Sequence, residues 1–194
     1  ETKYGQGLFP IDTYKRDVDE LAKPEYALQW RLLADEVTSY GIRNSTLMAL
    51  MPSETSAQIS NATNGIEPPR SLVSVKQSKD GVLKQVVPEI RKLRKKYDLL
   101  WDQESPEGYL KIVAVLQKFI DQGISVNTSY NPKFYEDEKI PMSEMLKHLL
   151  MFYKYGGKQL YYFNTFDGAG EIEIKQPELE TGAINDEDCE ACKI

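Results

Sequence analysis

Three short apolar runs, TLMALMP (46–52), ISVNTSY (124–130) and KQLYYFN (158–164), limit the possible folds of this chain more than any other feature. Each reads as a strand apolar on both faces, the pattern of parallel strands covered by helices. Helical segments stand between them, which is the order of an α/β fold. Three such strands cannot close a barrel, and as an open sheet they leave unpaired apolar edges. The chain is therefore expected to complete its sheet against another segment.

The intervening segments follow the helical period. Tyr26, Trp30, Leu33, Val37 and Tyr40 form the stripe of a helix that follows Pro24 and stops at Gly41. Two more are expected at 88–101 (Ile90, Leu93, Tyr97, Leu100) and 106–122 (Ile112, Leu116, Phe119). The second has Ser105 as N-cap, Pro106 in its first turn and Gly123 beyond its end. A further helix, 142–155, ends at Gly156-Gly157. SLVSVKQ and GVLKQVV, joined through Ser78–Gly81, read as a β-hairpin. Hydrophobic residues at 41% are enough for one packed domain.

Charge divides the chain. From Asp167 onward nine acids face two lysines, so this stretch carries −7 of a net charge of −6 and residues 1–166 carry +1. Periodicity also stops there, so 1–166 is expected to be the folded domain and 167–194 a flexible acidic tail. A nearly neutral body offers no field for nucleic acid or an anionic membrane. With no leader and no apolar run near ~18 residues, a soluble cytoplasmic protein is expected. The N-x-[ST] matches at Asn44, Asn61 and Asn127 then read as chance. The chain opens at Glu1 rather than methionine, as a processed protein or part of a longer one would.

Chemistry could reside in three places. After Pro52, the residues Ser53, Glu54, Thr55 and Ser56 open a helix. Its N–H groups suit a phosphate, although the same residues also make an ordinary cap. The Glu54 carboxylate repels a phosphate unless turned aside, so only its amide is expected to help. Tyr161 and Tyr162 are neighbours in the third run. In a regular strand they face opposite sides, so both serve one site only where the backbone leaves the pleat. The only cysteines, Cys189 and Cys192, stand in CEAC near the end. Zinc needs about four ligands and the sole histidine, His148, is mid-helix, so no metal site is expected. A Cys-x-x-Cys pair fits reversible thiol–disulfide chemistry, or else is incidental to the tail. Its acidic neighbours raise the thiol pKa. The 22 residues from Asp167 to Asp188 give a flexible span of about 25 Å and a stretched one of ~75 Å.

The blocks RNSTLMALMPSETSAQISNATNGIEPPR, KQVVPEIRKL, LQKFIDQGISVNTSYNP, LYYFNTFDG and the terminal CKI resemble the C-terminal part of the large, catalytic subunit of class I aerobic ribonucleotide reductases. The resemblance runs over nearly the whole chain. It implies the C-terminal portion of a ten-stranded α/β barrel with a peripheral hairpin. Ser53, Glu54, Thr55 and Ser56 would hold the diphosphate of a ribonucleoside diphosphate, with Pro52 lining the pocket and Arg70 near the base. Tyr161 and Tyr162 would pass an oxidising equivalent inward from a tyrosyl radical beside a di-iron centre in a small subunit. Cys189 and Cys192 would re-reduce the active-site disulfide and be recharged by thioredoxin or glutaredoxin. Many bacterial members place four residues between the tail cysteines, against two here, which leaves the external reductant open.

The family's radical and substrate-reducing cysteines lie upstream and have no counterpart in this sequence. The resemblance therefore implies a portion that needs an N-terminal polypeptide of the large subunit and the small subunit to act. The alternative is a non-catalytic module that docks to the small subunit.

Overall fold

In a computed structural model of the chain, the described residues are 4–9, 12, 16–22, 25, 28–53, 55–78 and 81–168. Glu54, Cys189 and Cys192, and with them the expected tail from residue 169 on, lie outside these. The elements are α1 (Trp30–Tyr40), α2 (Thr55–Ile59), β1 (Val73–Ser78), β2 (Gly81–Val86), α3 (Ile90–Leu93), α4 (Glu107–Gln117), β3 (Thr128–Tyr130), α5 (Met142–Lys154) and β4 (Phe163–Thr165). They divide into two compact units. One comprises Glu1–Met51, Pro106–Thr128 and Ile140–Phe163; the other comprises Pro52–Ser105, Ser129–Lys139 and Asn164–Ile194.

Residues 46–51, 124–128 and 158–163 of the three apolar runs line up in the first unit. Leu50 bridges Ile124 in parallel. Leu50 N–H donates to the Gly123 carbonyl at 3.5 Å, and Ser125 N–H to the Leu50 carbonyl at 2.9 Å. On the other side of the middle run, Tyr161 N–H donates to Val126 and Thr128 N–H to Tyr162. Phe166 N–H donates to Tyr130. Partners advance together along both chains, so the pairing is parallel. Among the described residues no further strand joins either side of this row, and no barrel closes.

The middle run is not buried on both faces as expected. Ile124, Val126, Thr128 and Tyr130 are buried, whereas Ser125, Asn127 and Ser129 are half-buried. The run alternates because one face meets the core and the other is less covered.

Helix α4 packs against α5, burying Tyr109, Leu110, Val113, Ala114 and Gln117. This corrects the expected stripe: Ile112 is 64% exposed and Phe119 is also exposed. Both faces of the helix are apolar and share the same period, so spacing alone could not choose between them. The helix also stops at Gln117 rather than 122, and its N-cap is Pro106 rather than Ser105. Gly123 is not a cap. It lies where Gln159 crosses, and a Cβ would stand 3.1 Å from the Gln159 amide.

Helix α5 ends as its sequence requires. Gly156, at φ 92°, donates to the Tyr153 carbonyl, and Gly157 donates to Phe152. This is the paired-bond Schellman closure, which needs a positive φ at the first residue past the cap. The fully buried Phe152 contributes about 1.5–3 kcal/mol by leaving water. Helix α1 begins at Trp30, whose ring meets Phe9 edge to face at 5.6 Å. Gly41 stops it, but of the described stripe only Val37 is buried. The 3₁₀ turn Arg16–Glu20 is tied down by ion pairs from Lys118 to Asp19 and from Lys154 to Glu20.

In the second unit β1 and β2 form the expected antiparallel hairpin, with register Val73↔Val86 through Ser78↔Gly81. Val73, Val87 and Ile90 make its small core, with Leu72, Val86 and Tyr97 packed around them. The helix expected over 88–101 is broken. Only Ile90–Leu93 is α-helical, Arg94–Lys96 is 3₁₀, and Tyr97 is extended. Five cations crowd residues 91–96 at helical neighbour spacings, which disfavours a long helix. The Tyr97 hydroxyl is bound to the Pro88 carbonyl at 2.8 Å, folding the segment back.

Candidate functional site

Tyr161 and Tyr162 touch. Their rings meet edge to face, with centroids 4.4 Å apart and planes at 78°. Both are exposed, at 62% and 58%. The hydrogen bond with Tyr161 pushes the Tyr162 phenol above its usual range, with smaller contributions from their charge interaction and from burial.

Two successive strand residues meet this way because the ladder is irregular here. The Tyr162 carbonyl accepts from Thr128 N–H at 2.8 Å. In a regular parallel ladder that register would send Tyr162 N–H to the Val126 carbonyl. Tyr161 N–H takes that carbonyl instead, at 2.6 Å. Two residues thus oppose one, which is a bulge, and bulges re-aim side chains. The departure from the pleat that the sequence required of a shared tyrosine site is present.

Pro52, Ser53, Thr55 and Ser56 are exposed. Ser53 offers its carbonyl to Ser56 N–H at 2.9 Å, so the N–H of Ser56 is already engaged. Helix α2 that follows has only five residues, so its dipole adds little, and a phosphate here would rely on individual N–H and hydroxyl groups. Gly65, at φ 59°, brings the SNATNG turn back over Pro52. A Cβ there would lie 3.7 Å from the Pro52 Cα.

Arg70 is in the same unit as Pro52–Ser56. Its guanidinium stacks on Trp101, 5.9 Å from the ring centroid. Trp101 in turn meets Phe166 at 5.2 Å. The Trp101 carbonyl accepts from the Asn131 amide at 2.7 Å, and Leu100 N–H donates to Pro69.

Two residues in these arrangements were not among the expected site members. Asp121 accepts from Leu47 N–H and Met48 N–H, both at 2.7 Å. Asn127 accepts from Tyr162 N–H at 3.2 Å through its side-chain oxygen. An asparagine in an otherwise good strand sequence was the available hint, since Asn is a poor strand former. Among the described residues no group of three or more His, Cys, Asp and Glu could hold a metal ion, and no helix is long and apolar enough to cross a membrane.

Known proteins extend the picture. A family model described as "Ribonucleotide reductase, barrel domain" matches residues 1–163. Ribonucleoside-diphosphate reductase subunit alpha of Haemophilus influenzae is 56% identical over 194 residues, covering 100% of this chain and 25% of that protein. Ribonucleoside-diphosphate reductase 1 subunit alpha of Escherichia coli K12 is 54% identical over 196 residues, again covering 100% and 25%. The subunit alpha of phage T4 is 43% identical over 198 residues, with the same shares. The chain thus spans about a quarter of the length of these relatives.

Proposed function

The chain belongs to the ribonucleotide reductase barrel-domain family, whose fold is an α/β barrel, and on that premise we propose that it is a working portion of a ribonucleoside-diphosphate reductase large subunit. Residues 1–166 supply the last strands of a ten-stranded barrel, and 167–194 act as a redox arm. Ser53, Glu54, Thr55 and Ser56 grip the substrate diphosphate beside Pro52, and Arg70 lies toward the base. Cys189 and Cys192 carry reducing equivalents to the active-site disulfide, and thioredoxin or glutaredoxin restores them by thiol exchange.

Tyr161 and Tyr162 relay the oxidising equivalent. In each hop one phenol gives an electron and its proton to the neighbouring phenoxyl, which becomes a phenol while the donor becomes the radical. The observation that carries this reading is the ring contact at 4.4 Å, since such a hop needs phenols that touch. The equivalent comes from a di-iron tyrosyl radical in a partner small subunit. The cysteines that act on substrate belong to an upstream polypeptide. The unpaired sides of the three-stranded row support that dependence.

Reconstitution tests the reading. The full chain is combined with the upstream large-subunit polypeptide, the small subunit, a ribonucleoside diphosphate and a dithiol reductant, and deoxynucleotide is assayed. Product is expected, with Tyr161→Phe abolishing turnover while the assembly still forms. An assembled, folded mixture that makes no product favours a non-catalytic docking module. Near-wild-type turnover by Tyr161→Phe removes the relay.

A further inference from the structure

We propose that Asn127 is the positioning residue for the tyrosine pair: its side-chain oxygen stands in for a main-chain acceptor and so holds the bulge that brings the two rings together. The inference rests on the relay reading for its functional meaning, though its geometry stands apart from it. The middle strand offers the incoming residues 161 and 162 a single carbonyl, that of Val126, and Tyr161 N–H occupies it. Tyr162 N–H then has no regular partner on that strand. Asn127 Oδ1 accepts it at 3.2 Å, from the residue that stands opposite Tyr162 in the register.

Two further contacts fix the same residue. The Tyr162 carbonyl accepts from Thr128 N–H at 2.8 Å, and Thr128 Oγ1 lies at 3.4 Å from it. Tyr162 is therefore held on both sides of its Cα, one side by main chain and the other by the Asn127 side chain. Removing the Asn127 oxygen leaves Tyr162 N–H without this acceptor. The cheapest remedy is the regular register, in which Tyr162 N–H takes the Val126 carbonyl and Tyr161 and Tyr162 turn to opposite faces.

The test reads the geometry first and the chemistry second. The full chain is labelled at tyrosine Cζ, the Tyr162 signal is assigned with Tyr162→Phe, and its titration is followed by NMR. Tyr161→Phe defines the Tyr162 phenol without its hydrogen-bonded neighbour. Asn127→Ala should raise the Tyr162 ionisation constant to that of the Tyr161→Phe chain, since both lose the hydrogen bond that holds the phenol up. Asn127→Asp keeps an acceptor at the same reach and should leave the phenol at or above its wild-type pKa. In the reconstituted assembly Asn127→Ala should lower kcat on the order of 10²-fold with KM unchanged, and Asn127→Asp should recover much of it.

Wild-type titration of Tyr162 in a folded Asn127→Ala chain overturns the proposal. If that variant loses its far-UV circular dichroism, Asn127→Ser, whose hydroxyl falls short, is read by the same criteria. Retention of turnover by Tyr161→Phe would instead sink the relay, leaving the Tyr162 titration to decide Asn127 by itself.

Discussion

Asp121 shows how one side chain can set the alignment of distant segments. Its carboxylate accepts from Leu47 N–H and Met48 N–H at 2.7 Å, and its carbonyl is bonded by the Lys158 ammonium, so it touches the start of all three parallel runs. Burial would raise this carboxyl, but the Met48 and Leu47 N–H bonds and the nearby Lys158 outweigh it and hold the pKa below the ordinary value. The folded state thus binds the proton less tightly than the unfolded state, whose value is about 3.9. The stabilisation is present above that value and is lost as pH falls through the folded pKa. Asp121→Asn should cost about 1 kcal/mol at neutral pH, discounted for exposure, seen as a lower urea midpoint. The two proteins should converge once the pH has fallen below the folded-state pKa, where both side chains are neutral. A gap that persists there would mean that the charge contributes nothing. None of this was legible in the sequence. Asp121 sits in FIDQG, where local period sees a helix end, and its partners lie 73 and 74 residues upstream. The tyrosine pair was legible as a question, because strand geometry dictated that a shared site needed a bulge. The residue that holds the bulge was not, because its bond depends on how two distant strands align.

At the scale of elements, punctuation was legible and faces were not. Gly156-Gly157 marks the end of α5 because only a residue tolerant of positive φ closes the Schellman turn. The three apolar runs do pair side by side, because short apolar runs bounded by Pro, Gly or polar residues have few other uses. Regular strand in them is confined to Thr128–Tyr130 and Phe163–Thr165, and the first run contributes only the Leu50 bridge. Helix α4 was located but its buried face was misread, since Ile112 and Leu116 compete on equal terms with Leu110, Val113 and Ala114. The helix expected over 88–101 failed because its cations and Tyr97 favour a folded-back chain over a continuous stripe. Gly157 has a second duty. It lies flat against Phe152, and a Cβ would overlap that ring. Gly157→Ala should therefore destabilise by roughly 1–3 kcal/mol through overpacking, lowering Tm by several degrees in calorimetry. It sits next to Lys158, whose run carries the tyrosines, so an unchanged Tm would mean that Phe152 is free to move away.

At the scale of the molecule, the distribution of apolar surface is the unresolved physical quantity. In the first unit Leu47 and Met51 are 53% and 67% exposed at one side of the strand row, and Tyr161, Tyr162 and Phe163 are exposed at the other. Helix α5 adds Met142, Leu146, Leu149, Leu150 and Tyr153, which share one uncovered face. Apolar surface of this extent marks a site of association, and open strand edges mark where more strands can add. The main-chain N–H groups of Ala49, Met51 and Phe163 alternate with those that bond the middle run, so they point to the open sides. In the full chain alone these amides should exchange quickly, and the surface should bind an apolar dye such as ANS. Adding the upstream large-subunit polypeptide should displace the dye and slow exchange at all three positions by at least about tenfold, because local opening would then require breaking a completed ladder. Protection at Ala49 and Met51 without Phe163 would place the new strand on one side only. Unchanged exchange in an assembly that turns over would mean that the barrel closes without using either edge, and the dependence on a complementary segment would then have to rest on catalytic residues rather than on the sheet.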